Sequence, residues 1–454
     1  MSEVVATAQQ GLAGKYKPYP QYKDSGVEWL GVIPTHWSLH ALKRTVSGCS
    51  NGIWGDEPKG EDDLIVLRVA DFDRNKLTVS DDKLTYRSIS EKERKTRLLK
   101  KGDLLIEKSG GGEKTLVGCV VIFDKDYSAV TSNFVAKMSP RKTYCSNFLR
   151  YAFSHLYAGR VNYPSIKQTT GIQNLDSDSY LMEHFCFPDS SDQQTIAAFL
   201  DYETARIDRL IAQQQRLIEL LKEKRQAVIS HAVRTRASEG HIKLAYAINL
   251  LTGYPFASSG FKSTKDTHIP LLRGANVGVD QIKWDDVVYW DSEDCSHLDD
   301  YYLERGDIVF GMDRPWISSG ARVAEITQHD TPCLLLQRVA RIRAKANHFQ
   351  SYIKLCLSSN EFRNYVEADL TGVSVPHISP DQIKGFLIRN LPYDEQVSVT
   401  NEVLQVLEKL NAVERAAFNA IELLQERRTA LISAAVTGKI DLRGWTPPAE
   451  EVAA

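Results

Sequence analysis

A sixteen-residue segment that occurs twice constrains the fold of this chain more than any other feature. Residues 218–233 read IELLKEKRQAVISHAV and residues 421–436 read IELLQERRTALISAAV, with identity at eleven of sixteen positions and no gap. A repeat of this kind indicates that one structural unit has been duplicated. Each copy follows a stretch of globular composition, so the sequence predicts two variable units on a duplicated frame.

The repeat has the apolar spacing of a long helix. When the first copy is shifted by 203 residues onto the second, apolar positions coincide at steps of three, four and seven, which is typical of helices that pack lengthwise. About 40 residues form a helix about 60 Å long, so we predict that the two copies pack antiparallel, with the globular units at opposite ends. The predicted coiled-coil positions are Leu200, Ile207, Leu210, Leu217, Leu221 and Val228, and Val403, Leu410, Val413, Ala420, Leu424 and Leu431.

Helix signals set the predicted domain boundaries. Pro188 and Pro392 each precede carboxylates that suit a first helical turn, and Gly438 suits a helix end. The sequence thus predicts an α+β protein with two pseudo-repeated α/β domains and two long antiparallel coiled-coil helices. The predicted parts are a first domain at 15–187, a central helix at 188–235, a second domain at 236–391 and a distal helix at 392–440.

Short β-rich runs are predicted in both globular parts. They are Leu64 to Ala70, Asp103 to Ile106, Leu116 to Phe123, Ile308 to Phe310 and Leu334 to Ile342. KGDLLI at 101–106 resembles RGDIVF at 305–310, and LRVAD at 67–71 resembles LRGAN at 272–276. A shared scaffold with different loops is the pattern expected of two units that select two different targets.

The loops of the first globular part contain candidate nucleic-acid contacts. A glycine-rich segment at 109–115 follows a predicted strand and Lys108, and a second polar segment spans 163–171. Glycine permits close approach of backbone to a ligand, while Lys, Gln, Ser and Thr contact phosphates or bases. The alternative is that either segment is only a hairpin tip or a capping turn. The candidates are Lys108, Ser109, Lys114, Thr115, Lys167, Gln168 and Thr169.

The second globular part has a comparable pair of loops at 311–320 and 371–377. Arginine can hold a guanine edge, and a neighbouring aspartate can accept from cytosine or orient the arginine. For Thr371 and Ser374, capping a turn is the favoured interpretation. The candidates are Arg273, Asp313, Arg314, Trp316 and His377, with Arg314 and Lys114 as the leading base contacts. Residues 331–360 add five basic side chains and no acidic one, which predicts local basic surface.

Composition and missing motifs narrow the function classes. The formal charge is −2, so the whole chain is not a general polyanion binder. No signal peptide or membrane span is predicted, and seven scattered cysteines favour reduced thiols in a cytoplasmic protein. No methylase, nucleotide-binding, metal-ligand or nucleophile-elbow motif occurs. The sequence therefore predicts a chain without catalytic residues, bound metal or bound cofactor.

The duplicated helix and the opening segment together carry a family resemblance. Residues 22–37 read YKDSGVEWLGVIPTHW, and the helix entries read FPDSSDQQ and LPYDEQ. With these features the chain resembles a specificity subunit of a type I restriction-modification system over nearly its full length. Many such relatives repeat the opening segment after the central helix, whereas this chain has ASEGH at 237–241.

The resemblance implies two target recognition domains that read the halves of a split double-stranded DNA sequence. It also implies two methyltransferase subunits docked on the helices, together with restriction subunits. S-adenosylmethionine, ATP and magnesium would belong to those partners. Two alternatives remain open at this stage, namely a coiled-coil adaptor that binds proteins without recognising DNA, and a hydrolase with a nonlocal site.

Overall fold

The computed structural model is a mixed helix and sheet protein, which confirms the predicted α+β class. It describes residues 15–60, 62–111, 115–169, 171–234, 240–265, 268–295, 297–367 and 376–448. Contacts divide the chain into unit 1, Met1–Ala212 with Ala420–Ala454, and unit 2, Gln213–Asn419. The central helix spans Ser190–Val233 and the distal helix spans Tyr393–Val436, so each unit includes part of both helices. The four-part division made from the sequence stays a prediction.

Unit 1 is built around a six-stranded sheet. Its strands in spatial order are Val46–Asn51, Val135–Pro140, Leu104–Glu107, Val120–Ile122, Thr78–Val79 and Phe72–Asp73. One three-stranded sheet has the order Ala129–Thr131, Leu64–Leu67, Tyr86–Arg87, and another has Ser109–Gly110, Ile172–Leu175, Ile166–Thr169. Unit 1 also has two separate strand pairs. One pairs Tyr22–Asp24 with Val32–Pro34, and the other pairs Ser38–Ala41 with His184–Phe187. The short helices are Glu91–Arg97, Ser146–Ala158 and Ser177–Tyr180.

The core of unit 1 contains parts of both long helices. Leu200 of the central helix and Leu431 of the distal helix are fully buried in the same apolar cluster, which also includes Trp37 of the opening segment. Arg428 of the distal helix forms an ion pair with Asp208 of the central helix. The cluster includes residues within 196–200 of the central helix and within 430–436 of the distal helix, whereas the later Asp208 pairs with the earlier Arg428. The two helix segments therefore run antiparallel.

Unit 2 repeats this plan with fewer strands. Its main sheet has the order Ile248–Thr252, Val339–Ala344, Ile308–Gly311, Val323–Glu325, and a second sheet has Val288–Asp291, His268–Leu272, Leu334–Leu335. His241–Lys243 pairs with Leu387–Arg389, and Trp316–Ile317 pairs with Gly320–Ala321. Its short helices are Leu244–Ala247, Gln350–Leu357, Asn360–Glu367 and Pro380–Gly385.

Within unit 2 the central and distal helices again pack antiparallel. Ile229 and Val233 share an apolar cluster with Val403 and Leu407. Earlier in the central helix, Arg225 Nη1 donates to Asn411 Oδ1, which lies later in the distal helix, at 2.6 Å. Later residues of the central helix therefore contact earlier residues of the distal helix, as expected for antiparallel helices.

An arginine at the same position of each repeat connects the helices of each unit with the globular part of that unit. Arg225 and Arg428 occupy the same position of the repeat, 203 residues apart. In unit 1 Arg428 also donates to the backbone carbonyl of Asn75, and in unit 2 Arg225 pairs with Asp280. Burial disfavours the Asp280 carboxylate, but Lys354, 2.9 Å away, and Arg225 together lower its pKa.

The Gly-Asp motif has the same local structure in both units. Gly102 and Gly306 have φ of 94° and 91°, a region that favours glycine. The carboxylate after each glycine folds back to accept a backbone N–H, at 2.8 Å for both Asp103 and Asp307. This agreement supports the faint sequence correspondence between the two globular parts.

Several local expectations were wrong. The predicted strand Leu334 to Ile342 is interrupted, since strands form at Leu334–Leu335 and Val339–Ala344 around Arg338, whose φ is 71°. Residues 163–171, expected to be a loop, contain a strand that pairs with Ile172–Leu175. Leu210 and Val413 were expected in the buried seam, but they are 37% and 45% exposed.

The other predicted coiled-coil residues show graded burial. Leu200, Ile207, Val403 and Leu431 are buried, while Leu217, Leu221, Val228, Leu410, Ala420 and Leu424 are partly buried. Among the helices in the described ranges, none combines the length and apolar character that a membrane span requires.

Candidate nucleic-acid interface

In unit 1 the candidate residues meet where a core strand ends. Leu104–Glu107 is fully buried, and the next residue, Lys108, donates from its backbone N–H to Phe134 O at 2.8 Å. Ser109 Oγ lies 2.6 Å from Asn174 Oδ1. We call Lys108, Ser109, Phe134 and Asn174 the first corner. Phe134 is 55% exposed, so the corner includes an exposed aromatic residue together with a lysine and two polar residues.

The first corner continues into a small exposed sheet. Ser109 is opposite Asn174, and Asn174 is opposite Lys167 in the adjacent strand. Directly opposed residues of antiparallel strands point to the same face, so Lys167 shares the face of Ser109. Ile172 shares it too and is 53% exposed. The structure thus brings two predicted candidates, Ser109 and Lys167, to one face of this sheet, while Lys108 directly precedes Ser109 in the chain and its side chain reaches Asn51.

Contacts already restrain some of these side chains. Lys108 Nζ lies 2.8 Å from Asn51 Oδ1, and Lys167 Nζ lies 3.0 Å from Asp176 Oδ2, whose pKa is lowered by that hydrogen bond. Glu107, behind the corner, is fully buried and held by Arg74 at 2.8 Å. Burial raises the pKa of Glu107, and Arg74 opposes that shift.

The remaining unit 1 candidates are placed less completely. Gln168 and Thr115 are exposed. Thr169 lies in the strand Ile166–Thr169, opposite Ile172. Lys114, a leading candidate from the sequence, lies outside the described residues. Its role as a base contact stays a prediction.

Unit 2 forms a second corner at the corresponding place. Met312 donates its backbone N–H to Arg338 O at 3.0 Å. His377 Nδ1 lies 2.6 Å from Asp313 Oδ1, and Arg338 Nη1 lies 3.1 Å from the same oxygen. We call Met312, Asp313, Arg338 and His377 the second corner. It joins the two candidate loops predicted in unit 2, although residues 371–375 of the second loop lie outside the described residues.

Arg314 and Trp316 follow the second corner but differ in exposure. Arg314 is exposed with φ of 45°, and its backbone N–H donates to Pro376 O at 2.7 Å. Trp316 packs on the core, with its ring centroid 5.7 Å from that of Phe362. Arg314 is therefore available to a ligand, whereas Trp316 mainly anchors the hairpin.

Other basic candidates are largely paired within unit 2. Arg273 Nη2 lies 2.9 Å from Asp286 Oδ2. In the basic stretch 331–360, Arg343 pairs with Asp307 and Lys354 with Asp280. The predicted local basic surface is thus partly neutralised by acidic residues distant in sequence, whereas Arg338 of the same stretch stays 57% exposed.

The two corners are equivalent by backbone contacts. Lys108 O accepts from Leu175 N at 2.8 Å, and Met312 O accepts from Ile378 N at 2.9 Å. The residues next to these bonds are therefore equivalent: the pair Ser109 and Asn174 in unit 1 corresponds to the pair Asp313 and His377 in unit 2. Phe134 and Arg338 also match. The carbonyl of Phe134 accepts from Lys108 N, and that of Arg338 accepts from Met312 N, the first residue after the buried strand in each unit. One scaffold thus presents different exposed side chains in the two units.

Sequence reasoning did not single out Phe134 and Asn174, and it named Arg338 only as one of the five basic residues of 331–360. The useful signal was the alignment of VAKMSP at 135–140 with VARIRA at 339–344, which lies 204 residues further on. That alignment places Phe134 and Arg338 at one turn. Among the described residues, no group of three or more His, Cys, Asp or Glu side chains is arranged to hold a metal ion.

Comparisons with known sequences point to one kind of protein. No protein-family model matches the chain. The specificity subunit of the type I restriction enzyme EcoAI from Escherichia coli is 36% identical over 179 residues, covering 38% of this chain and 30% of that protein. The match therefore spans less than a third of that relative. The EcoKI specificity subunit from Escherichia coli K12 is 21% identical over 428 residues, or 90% of each chain.

Solved structures show the same fold. A chain from a type I R-M system, described for complex assembly and conformational transition, has a TM-score of 0.68 at 12% identity, covering 89% of this chain and 98% of that one. The HsdS subunit from Thermoanaerobacter tengcongensis has a TM-score of 0.51 at 13% identity, covering 90% and 98%.

The fold has two units with equivalent corners, and each unit includes part of both long helices. The chain is homologous to the specificity subunits of type I restriction enzymes. The family resemblance inferred from the opening segment and the repeated helix is thereby confirmed, and the protein-binding adaptor is not favoured.

Proposed function

We propose that this chain is the DNA sequence-specificity subunit of a type I restriction-modification complex. Each unit reads one half of a bipartite double-stranded target through its corner. The observation that carries the proposal is the pair of equivalent corners, which present Lys108 and Phe134 in one unit and Asp313 and Arg338 in the other. A single scaffold with different exposed groups suits recognition of two different half-sites.

The chemistry of modification and cleavage belongs to partner subunits in this proposal. The chain contributes recognition and no catalytic group, while S-adenosylmethionine, ATP and magnesium are bound by methyltransferase and restriction subunits. Exposed apolar side chains on the long helices support a docking role. Leu220 and Leu423 are 44% and 63% exposed and occupy the same position of the repeat. Exposed apolar surface at duplicated positions suits two copies of one partner.

The proposal is tested by footprinting DNA with the chain in complex with its methyltransferase partner. We expect protection of two short segments separated by a fixed gap, with affinity that falls as salt rises. Exchanging residues 15–187 for those of a relative should change only one of the two segments. Binding without sequence preference, or a change in both segments, would contradict the proposal.

Arg314 gives a residue-level test in unit 2. Because its side chain is exposed beside the second corner, Arg314→Ala should reduce discrimination at one base pair by about 5- to 150-fold. Competition between cognate and single-mismatch DNA measures this loss. Arg314→Lys keeps the charge but loses the planar fork, so it should restore affinity more than discrimination. A drop that is equal for all sequences would show that Arg314 contacts only phosphate.

A further inference from the structure

Phe134 and Arg338 occupy one structural position in the two units. Each directly precedes a long strand of the main sheet, Val135–Pro140 or Val339–Ala344. Each carbonyl accepts the backbone N–H of the residue that follows the buried Gly-Asp strand, at 2.8 Å and 3.0 Å. The main chain therefore holds both residues beside their corners, while the side chains differ completely in chemistry.

The ring of Phe134 is placed for contact with a ligand. Its 55% exposure leaves apolar surface in water beside Lys108. A single exposed apolar residue is ordinary on a protein surface. Here, however, its backbone is bonded to both Lys108 and Ser109, the latter at 3.3 Å. A residue with a cation that can bind phosphate and a residue with an apolar ring that can meet a base are thus held side by side by their backbones.

The guanidinium of Arg338 is oriented by its neighbours yet open to solvent. Nη1 lies 3.1 Å from Asp313 Oδ1 and 3.3 Å from His377 Nδ1, and the side chain remains 57% exposed. A guanidinium has five N–H donors in a fixed fork, so contacts through Nη1 leave donors for a ligand. The φ of 71° is uncommon for a residue other than glycine, and such conformations concentrate at functional sites.

We infer that position 134/338 is a specificity-determining position in both units. Phe134 makes an apolar contact with a thymine methyl group in one half-site, and Arg338 donates to the O6 and N7 acceptors of a guanine in the other half-site. Both contacts are standard forms of major-groove readout. This inference rests on the proposed function, because it names the base chemistry that the corners would read.

The test measures base preference separately in each half of the target. The chain is reconstituted with its methyltransferase partner, and methylation is followed on a DNA library in which both half-sites are randomised. Phe134→Ala should lower the preference for one A·T pair in one half by about 5-fold or more, because an apolar contact is lost. Arg338→Asn should lower the preference for one guanine in the other half by about 5- to 150-fold. Asparagine is chosen because it tolerates positive φ.

Matched controls separate base readout from a general loss. Tyr86→Ala removes an aromatic side chain that is 51% exposed, and Arg363→Asn removes an arginine that is 46% exposed. Both should leave the preferences in place. The inference is overturned if the two test variants keep the wild-type preferences. It is also overturned if either variant weakens binding to all sequences equally; for Arg338→Asn, a salt slope reduced by about one would then mark a phosphate contact. A wild-type complex with no bipartite preference would instead contradict the proposed function itself.

Discussion

A chain that carries both Leu220→Asp and Leu423→Asp should keep its fold but fail to assemble with its methyltransferase partner. Both leucines are exposed in the chain alone, at 44% and 63%, so the substitutions remove no core packing. In a partner interface, however, each aspartate would be an unpaired buried charge, which is strongly unfavourable. Truncating a residue at the centre of an interface that acts as a hot spot costs about 2 kcal/mol or more, and an added charge costs further.

The repeat predicts a graded result. Because Leu220 and Leu423 are equivalent positions 203 residues apart, each single variant should lose one bound partner copy and the double variant both. Mass photometry of the mixed subunits measures the number of copies directly. Circular dichroism and thermal unfolding of each variant alone report whether the fold is kept.

Controls at exposed polar positions isolate the loss of the apolar side chain. Gln213→Asp and Gln425→Asp add the same charges to exposed sites on the same two helices and should assemble normally. Deleting residues 396–436 would be a poor test, since it removes Leu431 and other core residues of the helix. Normal assembly of the Leu220/Leu423 double variant would place the docking surface elsewhere.

The long helices were the part of the fold best predicted from sequence. The apolar spacing of residues such as Leu200 and Leu431 is a local signal, and it persists over many turns. Exposure was less predictable, because helical periodicity does not show which partner covers a position. Leu210 and Val413 fit the same spacing yet are exposed, since burial depends on the tertiary neighbours present at each point.

Only some residues of the first and second corners were predictable from the sequence. Lys108, Ser109, Asp313 and His377 follow from motifs in polar loops, but Phe134 and Arg338 lie at turns that look unremarkable in sequence. Their importance comes from backbone hydrogen bonds to residues 26 positions earlier in the chain, Lys108 and Met312. The extent of basic surface at 331–360 was not predictable for the same reason. The fold brings Asp307 to Arg343 and Asp280 to Lys354, although these aspartates are distant in sequence.

Gly438→Ala should destabilise unit 1 by about 2–5 kcal/mol. Gly438 has φ of 69°, and a side chain in this left-handed region costs about 1–2 kcal/mol. A methyl group there would also lie 2.5 Å from Cδ of Pro34 and 3.2 Å from the ring of Trp37. Pro34 is paired with Tyr22 in a strand, so it cannot move freely, and overpacking of this kind costs about 1–3 kcal/mol.

Gly444→Ala provides the matched control. Gly444 has a similar φ of 78°, but a methyl group there would meet no atom within 4 Å. It should therefore show only the conformational cost, about 1–2 kcal/mol, in chemical unfolding experiments. Equal destabilisation by the two substitutions would mean that the contact with Pro34 contributes nothing.

The difference in destabilisation between Gly438→Ala and Gly444→Ala tests whether the opening segment, residues 22–37, stabilises the end of the distal helix. Tyr22 donates from its hydroxyl to Gly438 O at 3.0 Å, and Lys439 Nζ donates to Val32 O at 2.7 Å. The opening segment thus closes over the end of the distal helix, and only glycine at 438 permits this approach. If Gly438→Ala is the more destabilising change, the opening segment acts as the cap of the distal helix. The segment would then contribute to the stability of unit 1 by packing on that helix end.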